Sequence, residues 1–444
     1  MSKTVKRVTD NAVKIPEFEF VREFEIDNSF DSTLNSLRKE SLRIYKGQPF
    51  PDENTSGWRK IPLRNLETTK YHLPEWIAKS FNTSDLERIE NRDGEVFLIQ
   101  RSISEKDDQI YLPNMSEDSI QIEMLGNGNE RISAKVMEKI RTIISPSDGK
   151  FAAFSHAFSR RTLVVHIKEG ANIKKPVLLQ EIFEGEHLAI PENIFIYAAH
   201  NSSATIIRQR KNGSKTDNLL VANLEIFLEE SAQLDFIDIQ DVSTRSWDIQ
   251  TQKAALEKNA KINWFSLVQG GSFSKTDLTI NLIGQASQAI ISGLFLPAEE
   301  QQFYFNTAQN HLAVDTTSDL LYRGVIDGQS KNIWQGMVYI AEDASRSNGY
   351  QANHNLILNK EAKIDSIPGL EILTDDVRCS HGVTITNIEQ EQLFYLKSRG
   401  IPDEQGKELI VSGFVRKVLD RLSSVEMEKL ITDEFISKIN KDML

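Results

Sequence analysis

A recurring small-residue pattern in the middle of this 444-residue chain constrains its fold more than any other sequence feature. Two successive spacings of the pattern, from residue 204 to 232 and from 232 to 260, are both 28 residues. Such a period is typical of stacked coils, because each coil buries its inward face only against its neighbours. We therefore predict a right-handed parallel β-helix, with a β-sandwich as the alternative. The pattern places an alanine at a predicted strand start and an aliphatic residue two positions later, at Ala171-Asn-Ile173, Ala204-Thr-Ile206, Ala232-Gln-Leu234, Ala260-Lys-Ile262 and Ala362-Lys-Ile364.

The segments around these alanines contain short β-rich runs rather than helices. The runs hold the β-branched and aromatic residues that favour strands, and turn residues separate them. No intervening stretch has a helical period of ten or more residues, which argues against alternating strands and helices. The runs are TLVVHI (162–167), NIFIYAA (193–199), LEIFL (224–228), KINWFSLV (261–268), LTINLI (278–283), AIISGLFL (289–296) and MVYIA (337–341).

Helical and irregular sequence precedes the β-rich part. DSTLNSLRKESLRIYKG (31–47) carries a partial apolar face and ends near Gly47. ERISAKVMEKIRTII (130–144) predicts a second helix, which should stop at Ser145 because the next residue is proline.

Three helices are predicted after the β-rich part. Asn387 and Gln390 resemble a capping box that opens the first of them. The second covers 403–422 and the third about 425–440, and together they carry more apolar surface than three short helices need, which indicates a partner. The predicted stripe of the second helix is Leu409, Ile410, Phe414, Val418 and Leu422. The predicted organisation is a mainly β chain with an N-terminal helical or mixed region (1–148), a β-helix core (149–386) and a C-terminal helical domain (387–444).

Charge and cysteine content exclude several classes of function. Lys and Arg total 52 against 64 Asp and Glu, so the formal charge is −12, the wrong sign for binding nucleic acid or an anionic membrane surface. The single cysteine excludes an internal disulfide, a four-cysteine zinc site and an iron–sulfur cluster held by thiolates of this chain alone. No stretch approaches 18 consecutive apolar residues, and the N-terminus lacks an apolar run behind its basic residues, so a cytoplasmic location is expected.

The sequence also lacks a nucleotide-binding loop. The nearest phrase, GGSFSK (270–275), has neither the spacing nor the following helix that would direct backbone amides at phosphates. We therefore expect that this chain binds no nucleotide and is not itself an ATPase.

One stretch, DDVRCSHGVTI (375–385), brings chemically capable side chains together. On a strand, residues two apart share a face, so Cys379 and His381 should project side by side. A thiol and an imidazole are ligands suited to iron or zinc. The alternative is structural: a small buried cysteine and a hydrogen-bonded core histidine. The other histidines among the β-runs, such as His311 and His354, are weaker candidates.

The same stretch opens a longer phrase, DDVRCSHGVTITNIEQEQLFYLKSRGI (375–401), that resembles the signature of the SufB/SufD family of iron–sulfur cluster assembly scaffolds. Within the family the phrase is similar to SufD. SufB would carry a functional cysteine near 362–368 and a Glu-His-Glu-like phrase in place of Cys-Ser-His. Further resemblance lies in GWRKIPLRNL (57–66), TTSDLLYRGVIDG (316–328), WQGMVYI (334–340), YQANHNLIL (350–358) and IDSIPGLEI (364–372).

The resemblance implies a non-enzymatic subunit that pairs with a SufB-like β-helix and binds a SufC-like ABC ATPase through its C-terminal helices. His381 would then supply an imidazole to a nascent, transient iron–sulfur cluster shared with SufB, with Cys379 as a less certain neighbour. The residues expected to form the ATPase-binding helices and their contact surface are Phe394, Tyr395, Leu396, Arg399, Phe414 and Val418. The sequence leaves open a SufB-like paralogue, a homodimer and a carbohydrate-active β-helix enzyme. Adjacent carboxylates such as Asp375 and Asp376 disfavour the enzyme, because they face opposite sides of a strand.

Overall fold

Two facing sheets of mostly parallel strands form a solenoid in which every second residue of a strand points inward. The computed structural model describes residues 15–26, 32–61, 63–75, 87–89, 96–113, 118–126, 131–213 and 215–442. The strands are β1 (Glu87–Ile89), β2 (Phe97–Ile103), β3 (Asp108–Pro113), β4 (Ile120–Leu125), β5 (Thr162–Ile167), β6 (Val177–Phe183), β7 (Ala189–Ala198), β8 (Ser203–Asn212), β9 (Leu219–Leu228), β10 (Gln233–Asp241), β11 (Trp247–Leu256), β12 (Lys261–Val268), β13 (Phe273–Leu282), β14 (Gln288–Phe295), β15 (Gln302–His311), β16 (Thr317–Ile326), β17 (Lys331–Ile340), β18 (Ser347–Ile357), β19 (Lys363–Ile372) and β20 (Val377–Asn387).

Eight successive coils, each built from one strand of either sheet, make up the solenoid from β5 to β20. One sheet has the order β1-β3-β2-β6-β8-β10-β12-β14-β16-β18-β20, and the other has the order β19-β17-β15-β13-β11-β9-β7-β5-β4. All pairs from β5 to β20 are parallel. Antiparallel pairs occur at the N-terminal end, between β2 and β3 and between β4 and β5. The prediction of a mainly β chain with a parallel solenoid and flanking helical regions is confirmed.

A column of left-handed backbone turns explains the small-residue pattern. In six of the eight coils a non-glycine residue adopts a positive φ, between 54° and 63°, and the next residue is small and buried. These turn residues are Asn201, Ser231, Asn259, Ala286, Asp315 and Arg346, and the buried residues after them are Ser202, Ala232, Ala260, Ser287, Thr316 and Ser347. The position therefore needs a small side chain, and alanine is one of three types that fill it.

The 28-residue spacing joins structurally equivalent positions between residues 232 and 260, but not between residues 204 and 232. Leu234 pairs with Ile262, so the alanines at 232 and 260 occupy equivalent positions. Ala204 instead pairs with Leu234, a displacement of two residues that keeps the same side of the strand inward. Ala362 precedes β19 and so belongs to the opposite sheet. The spacing between coils varies because the turns, not the strands, absorb extra residues.

The two flanking regions cover opposite outer faces of the solenoid. An aromatic-rich cluster that includes Phe18, Tyr45, Phe154 and Phe158 packs on the nine-stranded sheet. The last two C-terminal helices pack on the eleven-stranded sheet. The helices are α1 (Ser32–Gly47), α2 (Ala134–Met137), α3 (Lys150–Phe158), α4 (Gln390–Ser398), α5 (Asp403–Leu419) and α6 (Val425–Asp442). The divisions at residues 148 and 386 remain our proposal for the domain boundaries.

The helix predicted over 130–144 is wrong for most of its length, since only α2 is helical among its described residues. The backbone turns at Arg141, where φ is 59°. The next amides, of Ile143 and Ile144, donate to the buried carboxylate of Glu225 at 2.9 and 3.0 Å. Packing on the solenoid therefore replaces helical hydrogen bonds here. The capping box at Asn387 is also wrong, because this residue ends β20 and the N-cap position of α4 is Glu389.

A network of buried charges ties the N-terminal hairpin β2–β3 to the first coils. Arg101 bonds Asp108 at 2.8 Å and Glu192 at 2.8 Å, while Arg208 bonds Glu181 at 2.6 Å. All five side chains are buried, with at most 2 % of any one exposed. Sequence periodicity does not reveal this network, because its members look like ordinary outward-facing charges.

We expect Glu192→Gln to remove part of the pH dependence of stability. Burial and the neighbouring Glu181 carboxylate raise the pKa of Glu192 to about 8. The folded chain therefore holds a proton that the unfolded chain releases above about pH 4.5, so stability falls as pH rises toward 8, by up to about 1.4 kcal/mol per pH unit. An amide stays neutral and can still donate to Glu181. Urea unfolding at pH 5.5 and 8 measures how the free energy of unfolding changes with pH. Glu230→Gln, at an exposed position, is the control. An equal slope in Glu192→Gln and the parent chain would contradict this assignment.

Candidate functional site

The C-terminal end of the solenoid is open. β19 and β20 are the last strands of their sheets, and each pairs on one side only, with β17 and β18 respectively, among the described residues. Unpaired strand edges recruit another strand or must be protected. Two such edges side by side form a surface suited to another sheet.

Apolar side chains surround this open end, which we call the mouth. Odd-numbered residues of β20 continue the inward columns of β18, so Val383 and Ile385 point into the mouth and are 36 % and 49 % exposed. From β19, the inward positions Leu370 and Ile372 are also exposed. Inward residues are buried in the earlier coils because the next coil covers them. Here no described residue provides that coil, so the mouth lacks its cover.

Cys379 and His381 lie together on the inward face of β20, as predicted. Cys379 is half-buried and packs against Val338, Ile340 and Ala344. Burial raises the pKa of its thiol, which favours the protonated form over the thiolate that metals prefer. His381 is exposed in the mouth. The structure thus gives the imidazole the more accessible position.

Gly349 lies directly behind Cys379 and brings a second histidine near it. A Cβ at Gly349 would lie 3.4 Å from the Cys379 Sγ and 3.3 Å from Nε2 of His311. His311 is buried and shares hydrogen bonds with Thr316 and Ser318 at 2.7 and 2.8 Å. Burial lowers its pKa to about 4, so it is neutral at physiological pH. Sequence spacing could not reveal this neighbour, because it lies on the opposite sheet.

No group of three or more His, Cys, Asp or Glu side chains within the described ranges could hold a metal ion. Cys379 and His381 offer one sulfur and one accessible imidazole. Iron–sulfur clusters and zinc sites usually take about four protein ligands. A cluster at the mouth would therefore need ligands from a second chain.

A second exposed apolar surface lies on α4. Phe394 and Tyr395 are 73 % and 58 % exposed, and the Arg399 guanidinium lies 5.3 Å from the Tyr395 ring centroid. Leu396 faces the other way, since a Cβ at Gly406 of α5 would lie 3.5 Å from its side chain. The sequence predicted all of these residues on one binding element. The structure divides them into a packed side and an exposed aromatic side.

The buried stripe of α5 differs from the predicted one. Val411, Val415, Val418 and Leu419 are buried against the eleven-stranded sheet, whereas Leu409 is exposed. Phe414 is half-buried: Arg323 stacks on its ring at 4.7 Å and donates to its carbonyl. Val418 and Phe414 therefore anchor α5 to the solenoid, and the exposed apolar residues of α4 remain next to solvent.

In the part of the chain that is described, no helix is long and apolar enough to span a membrane.

Comparisons with known proteins identify relatives of this chain. The family model for the SufBD core domain of the SUF system for iron–sulfur cluster assembly matches residues 182–414, more than half of the chain. The iron–sulfur cluster assembly protein SufB of Bacillus subtilis is 24 % identical over 439 residues, which cover 95 % of this chain and 93 % of that protein. SufD of Escherichia coli is 25 % identical over 276 residues, covering 61 % and 65 %. A SufBD family protein of Mycobacterium tuberculosis is 25 % identical over 295 residues, covering 65 % and 73 %. Because the family model matches more than half of the chain and most of its coils, this chain belongs to the SufB/SufD family of the SUF iron–sulfur cluster assembly system.

Proposed function

We propose that this chain is the SufD-type scaffold subunit of a cytoplasmic SUF complex, without enzymatic activity of its own. The observation that carries the proposal is the uncovered mouth, where two unpaired strand edges surround an accessible imidazole. Relatives named SufB and SufD both match the chain, so the choice between them depends on its residues. The one cysteine is Cys379, and the segment 362–368, where SufB would carry its functional cysteine, has none. The family match gives no support to a carbohydrate-active enzyme.

The proposed partner at the mouth is a SufB-like solenoid. Its terminal strands would add to β19 and β20, and its apolar residues would cover Val383, Ile385 and Ile372. The cluster is the cargo of this complex rather than a resident group. His381 would offer it one imidazole, and the SufB-like chain would offer thiolate. A cargo held by few protein ligands is easily released to an acceptor.

We expect His381→Ala to lower cluster assembly at least tenfold while leaving partner binding nearly unchanged. The side chain is exposed, so its removal takes away a ligand and little packing. Iron and sulfide bound by the anaerobically reconstituted three-chain complex measure the effect. The matched control is His354→Ala. The His354 imidazole lies on the outer side of the neighbouring strand β18, where it shares a hydrogen bond of 2.6 Å with the Thr384 hydroxyl. Cys379→Ser should have the smaller effect. Normal cluster content with His381→Ala would reject the ligand role.

The proposed SufC-like ATPase binds the exposed aromatic side of α4. Deleting the C-terminal helices is a poor test, because α5 and α6 cover apolar residues of the eleven-stranded sheet such as Phe265 and Leu294. Surface variants avoid this difficulty.

We expect the double variant Phe394→Ala and Tyr395→Ala to weaken ATPase binding at least tenfold, since aromatic residues often dominate interface energies. Co-purification and titration with the ATPase measure the loss. Ile283→Ala, an exposed aliphatic residue just after β13, serves as the control. Unchanged binding by the double variant, with wild-type unfolding, would place the ATPase elsewhere on the chain.

A further inference from the structure

The interior of the solenoid changes character in its sixth and seventh coils. In the earlier coils many buried polar side chains pair with one another, as Arg208 does with Glu181 and Arg210 with Asp248. The inward positions of β15, β17 and β18 include five amides: Gln309, Asn332, Gln351, Asn353 and Asn355. The facing strands β17 and β18 approach closely, since a Cβ at Gly336 would lie 2.3 Å from Oε1 of Gln351 and 2.3 Å from the Trp334 ring.

These inward side chains carry polar atoms that have no hydrogen-bond partner among the described residues. All of the side chains are buried, with at most 4 % exposed. For Gln309 and Asn332 both the oxygen and the nitrogen are unpaired. The nine atoms are Thr307 Oγ1, Gln309 Oε1 and Nε2, Asn332 Oδ1 and Nδ2, Trp334 Nε1, Gln351 Oε1, Asn353 Nδ2 and Asn355 Oδ1.

The number of unpaired atoms is too large for a dry interior. A buried polar atom without a partner costs roughly 1–3 kcal/mol, so nine would cost about as much as the entire net stability of a typical domain, roughly 5–15 kcal/mol. Native interiors contain few such atoms, and ordered water commonly pairs with those that protein groups do not reach.

The last coil closes this region toward the mouth through specific contacts. Gln351 donates to the Gly369 carbonyl at 2.8 Å, and Asn355 donates to the Ser366 hydroxyl at 3.3 Å. These bonds use the amide nitrogens of both residues and leave their oxygens directed to the interior. Gln351 is also the strand partner of His381. The polar region therefore lies immediately behind the coil that carries Cys379 and His381.

We propose that the sixth and seventh coils enclose a water-binding chamber, lined by the amides of Gln309, Asn332, Gln351, Asn353 and Asn355 and by the Trp334 indole. The ligand is a cluster of ordered waters that accept from Trp334 Nε1 and the amide nitrogens and donate to the amide oxygens. The chamber is a property of this chain alone and does not depend on which partner covers the mouth.

The indole N–H of Trp334 reports on this water directly. We label the full chain with ¹⁵N-tryptophan and record magnetisation transfer from water to the indole protons. Trp264 is a matched internal control, since it is equally buried but its Nε1 donates to Ser266 at 3.0 Å and its ring packs on Phe236. A water cross peak several-fold stronger for Trp334 than for Trp264 is expected. The Trp334 indole resonance is assigned as the one missing from the spectrum of Trp334→Phe. If this variant does not fold, Asn332→Leu assigns it instead, because a change two residues away on β17 should shift the Trp334 signal.

The double variant Gln309→Leu and Asn332→Leu removes four of the nine atoms. It should weaken the Trp334 water cross peak at least twofold, whereas Asn310→Leu, on the outer side of β15 and bonded to Asn281, should leave it unchanged. A Trp334 signal without a water cross peak, like that of Trp264, would overturn the proposal and show that the amides pair with one another in a dry interior.

Discussion

Arg208→Leu is expected to lower the free energy of unfolding by about 3–5 kcal/mol, because it removes the closer of the two arginines that pair with the buried Glu181 carboxylate. Arg208 is fully buried and bonds Glu181 at 2.6 Å and Gln250 at 3.1 Å. Leucine fills part of the volume but cannot compensate charge. Urea unfolding followed by circular dichroism measures the loss.

The control for this variant is Arg43→Leu, which removes an exposed arginine that bonds Glu40 on α1. Exposed ion pairs contribute little, so its effect should be below about 1 kcal/mol. Equal, small losses of unfolding free energy in both variants would mean that water solvates the interior carboxylates or that protons neutralise them. Rescue of Arg208→Leu at low pH, where those carboxylates take up protons, would support the charge explanation.

Ile385→Lys is expected to weaken association with the SufB-like partner by at least a hundredfold. Its side chain points into the mouth and is half exposed, so a lysine in the isolated chain can extend its ammonium to water. A partner that covers the mouth would desolvate this charge. Val383→Lys should act in the same direction but less strongly, because Val383 is less exposed. Size-exclusion chromatography of co-expressed chains measures the association.

Ile290→Lys is the matched control, since Ile290 is similarly exposed but lies on β14, far along the solenoid from β20. Co-elution that survives both mouth variants would place the partner on another surface. Loss of the β signal in circular dichroism would mean instead that the substituted position belongs to the core.

Much of the solenoid could be predicted from sequence because its cause is local. Two of the apolar runs, TLVVHI and KINWFSLV, coincide with β5 and β12. Strands such as β11 and β18 were missed, since their inward residues are charged or amide side chains that sequence analysis assigns to a surface. The exact period was missed as well, because turns of different length join strands that remain in register.

The candidate site was predicted only in part. The shared face of Cys379 and His381 follows from strand alternation alone. The exposure of His381, the burial of Cys379 and the approach of His311 depend on which coil is last and on contacts across the interior. The uncovered apolar residues Leu370 and Ile385 carry no distinctive local pattern. They differ from core residues only in lacking a coil beyond them.

The unequal ends of the solenoid limit how many chains can join end to end. At the first end, the antiparallel strands β3 and β4 reverse the direction of the sheets, so that end does not match the parallel strands exposed at the other. A head-to-tail contact between identical solenoids would leave a fresh mouth on every added chain and continue into a filament. If chains associate through the mouth, a further chain that arrives at the first end meets strands of reversed direction and cannot continue the parallel register there. The mouth is therefore the end at which a partner's parallel strands can extend both sheets.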